Sequence, residues 1–192
     1  MISKYFKETK GGYSNSEMLN VWSVDRDGEA DRYKKFGSLD NRRLLWHGTN
    51  IAVVAPILTS GLRIMPHSGG RVGSGIYLAS MQEKSAGYTS GYGAKFACMF
   101  LAEAALGKMH SVTRDGHHAS SLKKAPKGFD SVLAEGKRTP RKWETMEIDG
   151  KQIQVPQSKA EDGNNNSTFY HDEFLAYEEA QVRLRYVITV KL

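Results

Sequence analysis

The last residues of the chain constrain its fold more than any other stretch. Val182, Leu184, Tyr186, Ile188, Val190 and Leu192 alternate with Gln181, Arg183, Arg185, Val187, Thr189 and Lys191. A period of two over that length specifies a strand with one face on a core and the other toward solvent. The chain therefore ends in a sheet. Other segments fit the same plan. Met18 to Asp25 mixes β-formers around Trp22 and Val24, and Arg43 to His47 is a short apolar run closed by Gly48. In that second run Leu45 and His47 share one face, and Leu44 and Trp46 share the other. Gly75 to Ala79 reads as a third strand, while Phe96 to Leu106 is apolar throughout, so periodicity leaves it open between strand and helix.

Helical signals are short. Gly28 to Phe36 is a charged, helical turn, and Met81 to Tyr88 a brief helix. Ile51, Val54, Ala55 and Leu58 recur at helical spacing, with Asn50 placed to cap and Gly61 to terminate. Pro56 within that helix predicts a kink. Residues 67–75 are a glycine-rich loop, 108–142 mostly loop, and 163–166 a polar loop. The polar stretch 1–16, with Gly11-Gly12, predicts a flexible N-terminal segment before a single domain over 17–192. Strands with short helices between them, in no regular βαβ order, indicate an α+β fold with mixed or antiparallel sheets.

Charge narrows the field further. The net charge is +6, and the excess lies between Lys108 and Lys142, where nine basic residues face three acids; elsewhere eighteen bases meet eighteen acids. Such a segment is ordinarily a solvated loop, and its functional reading is attraction of phosphates, nucleic acid or acidic peptides. No apolar run nears the roughly 20 residues that cross a bilayer, so no membrane role is expected. The N-terminus lacks the apolar stretch of a secretory signal. A single cysteine, Cys98, allows no internal disulfide and suggests a reducing, intracellular setting and a core thiol.

Several chemistries drop out. The glycines at 69, 70, 73 and 75 do not make G-x-G-x-x-G, and G-K-[ST] is missing, so neither a dinucleotide fingerprint nor a P-loop is present. G-x-S-x-G is absent as well. His110 with His117-His118 lacks companions at ligand spacing, so no metal is expected.

The remaining signals are dull singly and informative together. Leu-Leu-Trp-His47-Gly-Thr, Ile-Leu-Thr-Ser-Gly-Leu-Arg63-Ile, Gly75-Ile-Tyr77-Leu-Ala, Lys84-Ser85-Ala-Gly-Tyr88 and Glu173-Phe-Leu-Ala-Tyr177 occur in order, followed by Ala180-Gln-Val-Arg-Leu-Arg-Tyr186. In this the chain resembles the catalytic domain of the poly(ADP-ribose) polymerase family. Arg63 to Gly73 and Gly128 to Val132 look closest to its third, DNA-repair-associated branch. The resemblance implies an ADP-ribosyltransferase fold around an NAD+ cleft, with NAD+ as co-substrate and no metal. It also implies a triad of Glu173, His47 and Tyr77. Glu173 would stabilise positive charge on the ribose and accept a proton. Tyr77 and Tyr88 would sandwich nicotinamide, with the Gly48 backbone and the Ser85 hydroxyl on its carboxamide. His47 and Thr49 would meet the adenine-side ribose, Arg63 the adenosine or pyrophosphate end, and Lys84 the substrate nearby.

The implied reaction moves ADP-ribose from NAD+ to a protein side chain, the chain's own included, or to a nucleic-acid end held by the basic 108–142 segment. Products would be mono- or short-chain, made by a monomer, nuclear or nucleo-cytoplasmic by family alone. Ser74 and Leu78 depart from the lysine and phenylalanine of many members. About 40 residues precede the histidine strand, too few for the helical autoinhibitory subdomain of DNA-dependent members, so activity without DNA is expected. The rival readings are an NAD glycohydrolase and an inactive NAD-binding interaction module.

Overall fold

The computed structural model describes residues 1–12, 14–65, 70–89, 94–115 and 122–192. The chain opens with α1 (Ile2–Thr9), β1 (Glu17–Ser23), α2 (Glu29–Tyr33) and β2 (Arg42–Gly48). It continues through α3 (Val54–Ser60), β3 (Ile76–Ala79), α4 (Gln82–Ala86), β4 (Phe96–Ala105) and β5 (Met109–Val112). Next come β6 (Ser131–Ala134), β7 (Gly136–Pro140), β8 (Trp143–Ile148), β9 (Lys151–Pro156) and β10 (Ala160–Asp162). The last strands are β11 (Phe169–His171), β12 (Glu173–Ala176) and β13 (Val182–Lys191).

The main sheet runs β1-β13-β4-β2-β3-β12-β6-β5, with the β8–β9 hairpin joined to β2. Its ladders are antiparallel except β5–β6 and the Arg43–Gln154 contact of β2 with β9. A smaller sheet, β10-β7-β11, stands beside it. This is the α+β arrangement of mixed sheets that the pattern predicts. No described helix is long and apolar enough to cross a membrane.

The two faces of β2 separate two cores. Leu45 joins Phe100, Leu78 and Phe174 on one side, while Leu44 and Trp46 join Met99 and Ile188 on the other. The second core extends to the N-terminus and corrects the expectation of a flexible segment over 1–16. Tyr5 and Phe6 of α1 lie against Trp46, with ring centroids 5.0 and 6.1 Å away. The Trp46 indole donates to Thr9 Oγ1 at 3.2 Å. Only Tyr5, Phe6 and Thr9 of the helix are fully buried, so a polar composition hides a narrow apolar face.

Three more expectations change. β13 is a central strand between β1 and β4, and its side chains are mostly buried on both faces. Its pairing shifts between Leu184 and Tyr186, leaving Arg185 as an extra residue. That bulge turns the strand over: Val182 and Leu184 face the first core, whereas Ile188 and Val190 face the second. The arginines of the presumed solvent face are buried in ion pairs. Arg185 Nε donates to Glu103 at 2.7 Å and its Nη1 to Asp149 at 2.7 Å, while Arg42 reaches Glu103 from the other side at 2.7 Å.

The segment 108–142 is largely loop and turn among its described residues, as expected, but β5, β6 and β7 also lie within it. These strands are four or five residues long and part polar, so neither run length nor alternation betrays them. His117 and His118 lie outside the described residues. In α3, Asn50 Oδ1 accepts from the Ala52 N–H at 2.9 Å, and a 3₁₀ turn over Ile51–Val53 precedes the helix. Pro56 thereby falls in the first turn, where its missing N–H breaks no intrahelical bond and the expected kink has no cause. Phe96 to Ala105 resolves as strand β4, and Cys98 is partly exposed rather than a core thiol.

Candidate active site

One rung of the sheet organises the site. Ala79 is the register partner of Trp46 on β2 and of Glu173 on β12, and Glu173 also faces Ala134 on β6. β2 and β3 meet only at that Trp46–Ala79 rung and part beyond it. His47 bridges the gap, its Nδ1 donating to the Tyr77 carbonyl at 3.0 Å. A carbonyl only accepts, so Nδ1 carries the proton and Nε2 of the neutral ring is an acceptor. Burial pushes the His47 pKa below that of a free histidine, opposed by the same hydrogen bond.

Where the strands part, a hollow of about 270 Å³ opens, lined by His47, Gly48, Arg71, Tyr77, Lys84, Ser85, Tyr88 and Glu173 among others. The three triad residues of the sequence reading are thus neighbours in space. Glu173 is 5% exposed, and Lys84 Nζ sits 2.9 Å from its Oε1. Burial acts to lower the Lys84 pKa, but the hydrogen bond and charge of Glu173 outweigh it and raise the value. Lys84 also lies 5.5 Å from the centroid of the Tyr88 ring, which is 60% exposed at the mouth.

Tyr77 is held from its hydroxyl end. It donates to the Gly73 carbonyl at 2.7 Å and accepts from the Val72 N–H at 3.1 Å, which fixes the plane of the ring. Burial pushes its pKa up to about 12, so the phenol is a neutral wall. Gly48 faces α4 so closely that an added Cβ would stand 1.8 Å from the Ser85 carbonyl oxygen. Only glycine permits that approach.

Thr49 and Arg63 lie apart from this group. They line a second hollow, of about 450 Å³, with Val53, Ile57 and Met65. His47 and Tyr77 border both hollows, so the two form one elongated cleft divided by that pair. Arg63 is held by Glu179, its Nε 2.9 Å from Oε2, while the Ile64 N–H donates to Oε1. Sequence reasoning missed Arg71, which enters the first hollow from a segment read only as a glycine-rich loop. Among the described residues no three metal-ligating side chains converge.

All 192 residues match the poly(ADP-ribose) polymerase catalytic domain. The chain belongs to that family. It is 49% identical to protein mono-ADP-ribosyltransferase PARP3 of Mus musculus and 48% identical to that of Homo sapiens, over its full length and 37% of each relative. Poly [ADP-ribose] polymerase 1 of Xenopus laevis is 38% identical over the whole chain and 19% of its own length. The chain thus spans little more than a third of the PARP3 proteins it matches. The divided cleft of this poly(ADP-ribose) polymerase catalytic domain carries Tyr77 and Tyr88 in its first hollow and the Arg63 cation in its second.

Proposed function

We propose that this domain transfers ADP-ribose from NAD+ to an acceptor with release of nicotinamide, in mono- or short-chain form. The observation that carries the proposal is the single hollow holding His47, Tyr77 and Glu173. Nicotinamide stacks between Tyr77 and Tyr88, its carboxamide on the Gly48 backbone and the Ser85 hydroxyl. Thr49 and the Nε2 of His47 receive the adenine-side ribose, and Arg63 the adenosine or pyrophosphate end, in the second hollow.

Cleavage breaks the bond between the nicotinamide nitrogen and ribose C1′. The electron pair leaves with the ring, neutralising it, while positive charge grows on the sugar. Glu173, held by Lys84 with its carboxylate fixed in place, faces that charge and needs no reorganisation as it appears. The acceptor oxygen bonds to C1′ and its proton passes to Glu173.

Protein side chains, the chain's own included, are the proposed acceptors, and nuclear residence follows the family. Terminal phosphates of nucleic acid drawn by Lys123, Lys124 and Lys127, all exposed, are a further acceptor class. In this 192-residue form the domain acts as a monomer, and its transfer is expected to need no DNA. Mass spectrometry of the protein after incubation with NAD+, with and without nicked DNA, tests this. Adducts of ADP-ribose mean transfer, whereas free ADP-ribose alone means hydrolysis. Glu173→Gln should still bind NAD+ yet lose roughly 10²–10³-fold in nicotinamide release. Near-normal turnover would refute the role given to the carboxylate.

A further inference from the structure

Arg71 is a charged lining residue of the first hollow that the chemistry above leaves without a task. Its guanidinium is fixed from three directions. Nε donates to Asp115 Oδ2 at 3.0 Å, and Nη2 donates to the Thr168 carbonyl at 3.0 Å and to Thr168 Oγ1 at 2.9 Å. Its carbon lies 4.1 Å from the Phe169 ring centroid. Thr168 Oγ1 in turn donates to Asp115 Oδ1 at 2.8 Å, which closes a small network. Despite these ties the Arg71 side chain is 41% exposed, and among the described residues none bonds Nη1. An arginine held this way has already lost its rotamer freedom, so a ligand meeting Nη1 does not have to order it.

Position gives this charge a purpose. Arg71 borders the hollow of Glu173, not the second hollow of Thr49 and Arg63. With Gly48, Ser85, Tyr77 and Tyr88 as the proposed nicotinamide walls, the side of Glu173, Lys84 and Arg71 is left for an acceptor. The geometry points to Arg71 as a specificity-determining residue that binds a carboxylate neighbouring the acceptor residue of an acidic peptide. Asp115 and Glu173 flank the guanidinium, so a run of phosphates would meet two carboxylates. A single carboxylate on a peptide presents one charge to one donor group. This inference rests on the transferase reading and adds the substrate class on its acceptor side.

The test uses peptides that share one acceptor residue, mapped by mass spectrometry on the wild-type protein, with neighbours that are either glutamate or glutamine. A 5′-phosphorylated oligonucleotide serves as a third acceptor. For each protein the ratio of kcat/KM for the glutamate peptide to that for the glutamine peptide is measured, so the amount of folded enzyme cancels. Wild type should favour the glutamate peptide about tenfold or more, the scale of one charge-assisted contact. Arg71→Met should bring the ratio close to one, and Arg71→Glu should push it below one. Arg71→Lys, which keeps the charge but loses the planar fork, should fall in between. An unchanged ratio in Arg71→Met and Arg71→Glu overturns the assignment. So does an Arg71→Met variant whose KM for NAD+ rises while the ratio holds, or a wild-type preference for the oligonucleotide that Arg71→Met abolishes. Absence of adducts from the wild-type protein on every acceptor overturns the transferase reading as well, and that separates the two failures.

Discussion

Gly48→Ala tests the construction of the cleft directly. The new methyl carbon would stand 1.8 Å from the Ser85 carbonyl oxygen, 2.6 Å from the Ser85 carbonyl carbon and 3.2 Å from Thr89 Cγ2. Real Cβ atoms stay beyond about 3.0 Å, so the end of β2 and α4 must separate by about 1.2 Å. Both obstacles nearest the methyl are backbone, so no rotamer change relieves the clash. Overpacking of this kind costs roughly 1–3 kcal/mol, which in a domain of this size lowers Tm by roughly 2–12 °C. The larger effect falls on chemistry. α4 carries Lys84 and Ser85, and a displacement of about 1 Å in a positioned group costs on the order of 10²-fold. Nicotinamide release under kcat/KM conditions, followed beside thermal unfolding, measures both. Gly12→Ala is the control, because a Cβ there meets nothing within 4 Å. A Gly48→Ala protein with wild-type Tm and turnover within twofold would refute the close approach of β2 and α4.

Two further outcomes are expected. Glu103 is fully buried and holds Arg42, Arg185 and the Tyr33 hydroxyl together, so Glu103→Gln should lower the unfolding free energy by about 3–5 kcal/mol in urea titrations; a loss under about 0.5 kcal/mol would show that the arginines find other partners. Because burial holds the His47 pKa below 6.5, the unfolded chain binds a proton near pH 6.5 that the folded chain refuses. Stability is then full above that value and falls as pH drops through the folded pKa. His47→Gln should make Tm fall less steeply than in wild type between about pH 6.5 and 5, and equal slopes would count against a buried neutral imidazole.

How much of this was legible depended on whether the signal was local. The alternation of Val182 to Leu192 announces a strand, and the split of Leu45 from Leu44 and Trp46 between two cores follows from period two alone. The Arg185 bulge leaves no mark in hydropathy, because a register shift is decided by what β4 opposes to it. Nor does composition mark α1, where two aromatic rings on an otherwise polar helix are meaningful only once Trp46 lies beneath them. β5 and β6 pair parallel in four-residue pieces, too short for any pattern. The site residues are distant along the chain and meet through the rung at Ala79, a relation that only the resemblance to a family could supply in advance. Arg71 was hidden differently: it stands in a glycine-rich stretch, and its partners Asp115 and Thr168 lie far along the sequence.

The parting of β2 from β3 has one more consequence. Cleft and scaffold are largely the same object, since β2, β3 and β12 supply most of the wall of the opening, with α4 and the segment of Gly70 and Arg71 completing it. Strand pairing and both hydrogen bonds of its hydroxyl hold Tyr77 in place, so that wall stands ready before anything enters. Adaptability belongs to the mouth, where Tyr88 is exposed.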